Sequence, residues 1–316
     1  MSDTSARWFH RRGELANGAW ETVVNEATPG WQHTGLRIGQ LSAGGSLELE
    51  GTGIERLVIP LSGSFTVTHR DHGSDNSAPK DPVPGTHITT SLTGRASVFA
   101  GPTDVLYLSA ATTASVFSAD GGRFAVATSP TNALHPTRLI TAEETPVELR
   151  GAGSSSRQVH NFGTPQALEA ARFIVCEVIT PAENWSSYPP HKHDEHIPGT
   201  ESQLEEIYYF EAAPTATAPP EVSAAAAFGM FSTYSSPAGE IEIDAMVRTG
   251  DVALVPYGYH GPAVAAPGYD LYYLNVMAGP AAERVWNISD DPAHAWVRAS
   301  WDGQVFDERL PFRPAP

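Results

Sequence analysis

Cysteine is nearly absent: Cys176 is the only one in 316 residues. A lone thiol cannot close an internal disulfide, so nothing in the chain asks for an oxidising compartment. Within Arg172-Phe173-Ile174-Val175-Cys176-Glu177-Val178-Ile179 it reads as a small buried hydrophobe, because no electropositive neighbour would hold it as a thiolate. Positive charge is also scarce, with 19 Lys and Arg against 36 Asp and Glu and a formal net charge of −17. Such a surface repels phosphate backbones and anionic bilayers, so neither nucleic acid nor membrane is expected as a partner. No apolar run reaches bilayer-spanning length. Met1-Ser2-Asp3-Thr4-Ser5 lacks a basic region leading into an apolar core, so no signal peptide is expected and the location is read as cytoplasmic.

Strong helical periodicity is missing as well, and what replaces it is informative. The 28 Gly and 26 Pro punctuate short β-branched or aromatic segments, the pattern of strands and turns. Such segments run from Leu57 to Leu61, Phe124 to Ala127, Phe173 to Ile179, Ile207 to Phe210, Val252 to Val255 and Leu271 to Met277. They predict an all-β protein of sandwich or barrel type. Ala293 to Arg298 reads as a short helical turn, and Asp71 to Gly85 and Ala212 to Ala227 read as surface loops. A weak internal repeat links Asp104-Val105-Leu106-Tyr107-Leu108 to Asp251-Val252-Ala253-Leu254-Val255. It divides the chain into a domain over 1–150 and a second over 151–316. Where the second half has histidines, the first has Glu48 and Glu50, read as facing water, so the first domain is expected to be metal-free.

The densest chemistry lies in Pro189-Pro190-His191-Lys192-His193, then Leu204-Glu205-Glu206-Ile207-Tyr208-Tyr209, then Gly250-Asp251 and Pro256-Tyr257-Gly258-Tyr259-His260. His191 and His193 share one face of a strand, because strand side chains alternate; Lys192 points to the other face. His196 is placed in a loop. A carboxylate and His260 arrive from separate strands, and the set of four can close around a divalent first-row metal. Glu205 and Glu206 face opposite ways, and Glu206 is the favoured ligand because Tyr208 and Phe210 then face inward with it. Zinc or manganese is expected, with iron, cobalt or nickel also compatible with the donors.

These segments resemble the two cupin motifs, with a longer gap between His193 and Glu206 and a shorter one between Gly258 and His260. Together with Arg157-Gln158-Val159-His160-Asn161, they are similar to the 5-deoxy-glucuronate isomerase family of myo-inositol catabolism, related to the ketol-isomerases of deoxy-keto-uronates. The resemblance covers nearly the whole chain. It implies a bicupin of two β-barrel domains with a metal site only in the second, and His191, His193, Glu206 and His260 as ligands. It implies conversion of 5-deoxy-D-glucuronate into 2-deoxy-5-keto-D-gluconate, so that the partner is a small sugar acid; a homo-oligomer is compatible with it. An aldose–ketose isomerisation through an enediol needs charge stabilisation, a base and a carboxylate anchor. Candidates for the base are metal-bound water, Glu205, and a tyrosine relay from Tyr257, Tyr259 or Tyr272. Arg157 and Arg248 are the candidate anchors, since a guanidinium grips a carboxylate with two hydrogen bonds. Tyr208 is expected to line the pocket. Rival readings are a metallo-cupin dioxygenase or decarboxylase and a non-catalytic sugar-binding bicupin.

Overall fold

A computed structural model describes residues 4–49, 51–71 and 87–313. The loop expected over Asp71 to Gly85 lies almost wholly outside them, as does Glu50; Glu48 is exposed. Strand accounts for 50% of the protein and helix for 7%, so the fold is nearly all-β. Every strand pairing described is antiparallel. Among the described residues no helix is long and apolar enough to cross a membrane.

The same register is built twice. In the first half, Ile54–Asp71 pairs with Val105–Leu108 and Gly122–Pro130, and Gly35–Leu41 lies beyond. In the second, Glu205–Pro214 pairs with Val252–Val255 and Tyr269–Ala278, and Ile174–Thr180 lies beyond. Arg56 stands opposite Leu108 and Thr128. Glu206 stands opposite Val255 and Met277. Gly35 faces Thr128 as Ile174 faces Met277, which fixes the correspondence across four strands.

The halves are interlocked rather than merely adjacent. Phe9–His10, at the start of the chain, pairs with Val252 and Ala253. Val147–Arg150 pairs with Arg157–Gly163. A division by number at residue 150 therefore separates strands that share one sheet. One buried apolar cluster takes Leu57 and Tyr107 from the first half and Ile174 and Tyr208 from the second. Polar contacts cross the same boundary reciprocally. Glu55 accepts the backbone N–H groups of Ala171, Arg172 and Phe173 at 2.6, 2.7 and 2.9 Å. Glu205 accepts those of Gln32, His33 and Thr34 at 3.2, 2.7 and 2.7 Å. These triplets are register equivalents, each just ahead of the strand beginning at Gly35 or Ile174. Arg95 and Glu177 add a fully buried bidentate pair, both bonds 2.7 Å. A buried carboxylate is tolerated here because every lone pair direction meets a donor.

The second half also contains a six-stranded sheet built on Gly229–Ser236, Gly239–Val247, Tyr259–Ala265 and His191–Lys192. It faces the seven-stranded sheet that carries Glu205–Pro214. Ala293 to Arg298 forms helix as expected, but as a 3-10 segment over Ala295–Trp301. Two readings need correction. His196 is exposed in the strand Asp194–Ile197, which forms a hairpin with Glu201–Gln203, and Ala212 to Pro214 still belong to a strand.

Candidate metal centre

The facing sheets bring His193, Glu206 and His260 together, with His191 beside them but outside the group whose ligating atoms lie within 4.8 Å of one another. His191 pairs with His260 across neighbouring strands of one sheet, and Glu206 reaches in from the other. His193 Nε2 lies 3.0 Å from Glu206 Oε2 and His260 Nε2 lies 3.1 Å from the same oxygen. The ring centroid of His191 is 4.6 Å from that of His260, and His193 is 4.7 Å from it on the other side. All four residues are at most 9% exposed.

Backbone carbonyls fix the tautomers. His191 Nδ1 is 3.2 Å from Pro189 O, His193 Nδ1 is 3.0 Å from Leu204 O, and His260 Nδ1 is 3.2 Å from Gly258 O. A carbonyl only accepts, so each Nδ1 carries a proton, and the Nε2 atoms of His193 and His260 are the ones turned to Glu206. Among the described residues, buried His260 Nε2 finds no hydrogen bond of proper geometry. Oriented imidazoles and a buried carboxylate, with ligating atoms of His193, Glu206 and His260 within 4.8 Å of one another, fit a divalent first-row cation.

The electrostatics agree. Burial pushes Glu206 up, but the adjoining His193 and His260 imidazoles outweigh this and hold it at about 2. Burial, then the two neighbouring imidazoles, lowers His191 and keeps it neutral. Burial pulls His193 down, yet contact with Glu206 raises it overall. A charged carboxylate beside imidazoles is the state that a cation would bind.

A cavity of about 500 Å³ opens beside this cluster, with His191, Glu206 and Tyr208 on its wall. Arg157 also lines it. Its guanidinium is buried, donates to Ser155 O at 3.0 Å and lies 5.7 Å from the Trp301 ring centroid. Burial lowers its pKa to about 10, and among the described residues no carboxylate is in ion-pair contact with it. The neighbouring guanidiniums are already matched, Arg150 to Glu148 at 2.8 Å and Arg298 to Asp290 at 2.5 Å. Tyr208 OH and Tyr273 OH each lie 3.2 Å from Ser187 Oγ. Gly261 lets the Ser187 backbone approach, for a Cβ there would sit 1.8 Å from Ser187 O. Burial raises both phenols, so they stay protonated. Asn275 Nδ2 and Trp286 Nε1, from cavity-lining residues, have no hydrogen-bond partner among the described residues.

Three expected residues are elsewhere. Glu205 faces away from Glu206 and is saturated by the Gln32–Thr34 backbone, so it cannot serve as a base in this cavity. Arg248 donates to Ala226 O and lies over the Phe228 ring, outside the cavity lining. Tyr259 precedes His260 on its strand and therefore points the other way, where it stacks on Tyr234 at 5.2 Å. Of the other relay candidates, Tyr272 donates to Glu177 at 2.8 Å and Tyr257 packs against Gly239. Sequence reasoning missed Trp286, Trp301, Tyr273 and Asn275. The tryptophans of the polar C-terminal segment were an available signal, since large aromatics outside a strand pattern need a surface to cover.

Comparison with known proteins places this geometry. The KduI/IolB family profile matches residues 8–297. The 5-deoxy-glucuronate isomerase of Geobacillus thermodenitrificans (strain NG80-2) is 36% identical over 277 residues, covering 88% of this chain and 90% of that protein. The protein of the same name from Bacillus subtilis (strain 168) is 34% identical over 290 residues, covering 90% and 95%. The crystal structure of an IolB-like protein from Salmonella typhimurium LT2 superposes with a TM-score of 0.77 at 30% identity, over 92% of this chain and 98% of that one. Oxalate decarboxylase of Lactobacillus farciminis, in a formate complex, superposes with a TM-score of 0.57 at 11% identity over 90% and 88%, a likeness of fold alone.

Proposed function

The chain belongs to the KduI/IolB family, and from that premise we propose that it is an aldose–ketose isomerase of inositol catabolism that converts 5-deoxy-D-glucuronate into 2-deoxy-5-keto-D-gluconate. The relatives' names support the reaction. The reading extends to a bicupin architecture in which only the second half holds a metal, through His191, His193, Glu206 and His260. The observation that carries the site is the approach of the Nδ1-anchored imidazoles of His193 and His260 to buried Glu206, with His191 beside them, next to a cavity that also holds an uncompensated arginine.

A bound divalent cation supplies Lewis acidity toward adjacent carbonyl and hydroxyl oxygens. The chain's own residues bind and orient. Arg157 anchors the substrate carboxylate: its buried guanidinium lacks an anionic partner, and a bidentate pair would supply one. Asn275 Nδ2 and Trp286 Nε1 are left to donate to hydroxyl oxygens along the carbon chain. Tyr208, held protonated, offers its phenol proton to an oxygen that gains charge as the enediol forms. Trp286 and Trp301 line the cavity and give it apolar wall beside the polar donors.

The test is proton NMR of the metal-loaded protein with 5-deoxy-D-glucuronate in deuterium oxide. Ketose should form with solvent deuterium at the carbon that receives the proton, with no oxygen consumed. No turnover by loaded protein would reject the substrate; oxygen uptake or loss of carbon dioxide would move the site to dioxygenase or decarboxylase chemistry.

A further inference from the structure

Lys192 ends the two-residue strand His191–Lys192; His193 falls just outside it, a departure from the expected shared strand face, and the Lys192 side chain turns to a group of carboxylates. Its Nζ is 2.7 Å from Asp194 Oδ1, 2.7 Å from Glu195 Oε2 and 2.8 Å from Glu201 Oε1. Glu201 Oε1 also accepts the backbone N–H groups of Asp194 and Glu195, both at 3.0 Å. The three carboxylates are close enough together to grip a cation. The ammonium already fills that place, so the cluster is no second ion site.

Asp194 has a second oxygen, and it reaches across to another element. Oδ2 accepts the backbone N–H of Gly258 at 2.8 Å and the Ser236 hydroxyl. Gly258 in turn offers its carbonyl to His260 Nδ1. The turn needs glycine here: φ is +96°, and a Cβ would lie 2.4 Å from Ile241. One carboxylate, adjacent in sequence to His193, thus fastens the backbone that aims His260.

We propose that Asp194 is the positioning residue that sets His193 and His260 at ligating separation, with the Lys192 ammonium holding its carboxylate in place. The proposal rests on the reading of His191, His193, Glu206 and His260 as the donor set. Its consequence is a site assembled before the ion arrives, so that binding does not have to order two separate segments. Residues that orient ligands in this way are generally worth about 10–100-fold in metal affinity.

The test is calorimetric titration of metal-depleted protein with zinc and manganese, joined to NMR of the imidazole Nδ1–H protons. Asp194→Ala should weaken binding about 10–100-fold and broaden or lose the His260 Nδ1–H signal. Asp194→Asn, which keeps an oxygen for Gly258 but loses the charge facing Lys192, should fall between it and the parent. Lys192→Met should weaken binding and Lys192→Arg should recover part of it. Arg248→Ala, outside the cavity, should leave affinity unchanged. Parent-like affinity in Asp194→Ala, while His193→Ala has lost the ion, overturns the positioning role and leaves the donors standing. Retention of the ion by His193→Ala overturns the donor set itself. If Asp194→Ala fails to fold, parent-like affinity in both Asp194→Asn and Lys192→Met overturns the proposal.

Discussion

Arg56 and Glu206 occupy the same place in the two halves, opposite Leu108 and Val255 on equivalent strands. Both side chains are buried at about the same depth, at 2% and 1% exposure. In the first half a guanidinium donates to the carbonyls of Leu49 and Gly51 at 2.8 and 3.0 Å, and to those of Ser109 and Thr112. In the second half a carboxylate meets imidazoles. One frame closes on a positive charge covalently fixed to the chain; the other sets a negative charge among imidazoles. The difference teaches that one position of the β framework can bury a charge of either sign, and that the side chain placed there decides which groups gather round it.

The comparison breaks most violently at Glu206. Glu206→Gln removes the only anionic donor, and metal content and isomerase turnover should both collapse, by at least about 100-fold in affinity. Metal analysis with the NMR assay checks this, and a parent-like metal content would remove Glu206 from the donor set. The same experiment in the other half should have the opposite signature. Arg56→Met leaves buried carbonyls without a donor and should cost about 3 kcal/mol of stability in denaturant unfolding, with metal affinity unchanged. A loss of metal in Arg56→Met would mean that the halves do not divide structure from chemistry in this way. The smallest effect is expected at Glu205. Glu205→Gln keeps one acceptor for the Gln32–Thr34 amides but loses charge assistance, so stability should fall by about 1–2 kcal/mol while kcat and KM stay put. A large fall in kcat alone would return Glu205 to the reaction.

Much of this was legible in the sequence, and the limits were geometric. Short β-branched segments announced strands, because a pleated, half-buried surface favours those side chains. His191, His193 and His260 could be grouped because alternation sends the first two to one face and the turn after Val255 returns the third. The same alternation separates Glu205 from Glu206 and Tyr259 from His260; applied consistently, it would have removed Tyr259 from the catalytic candidates. Arg248 was misplaced for another reason. It sits beside Thr249-Gly250, and sequence alone does not say toward which neighbour a strand-end guanidinium bends; it bends to Ala226 and Phe228. Trp301 and Asn275 reach the cavity through long-range packing that no local pattern records. The Arg56 substitution was visible as a residue, yet its meaning required the paired registers.

Glu205 and Glu206 are consecutive, and their opposite orientations give one peptide unit two loyalties. The first grips a segment from the other half, and the second faces the reactive chamber. An excised second half would therefore lose more than ballast: the N–H groups that hold Glu205 would be gone, and a stranded charge would sit one residue from the chemistry. The first lobe serves as the keel of the second, and the two are expected to unfold as a single piece.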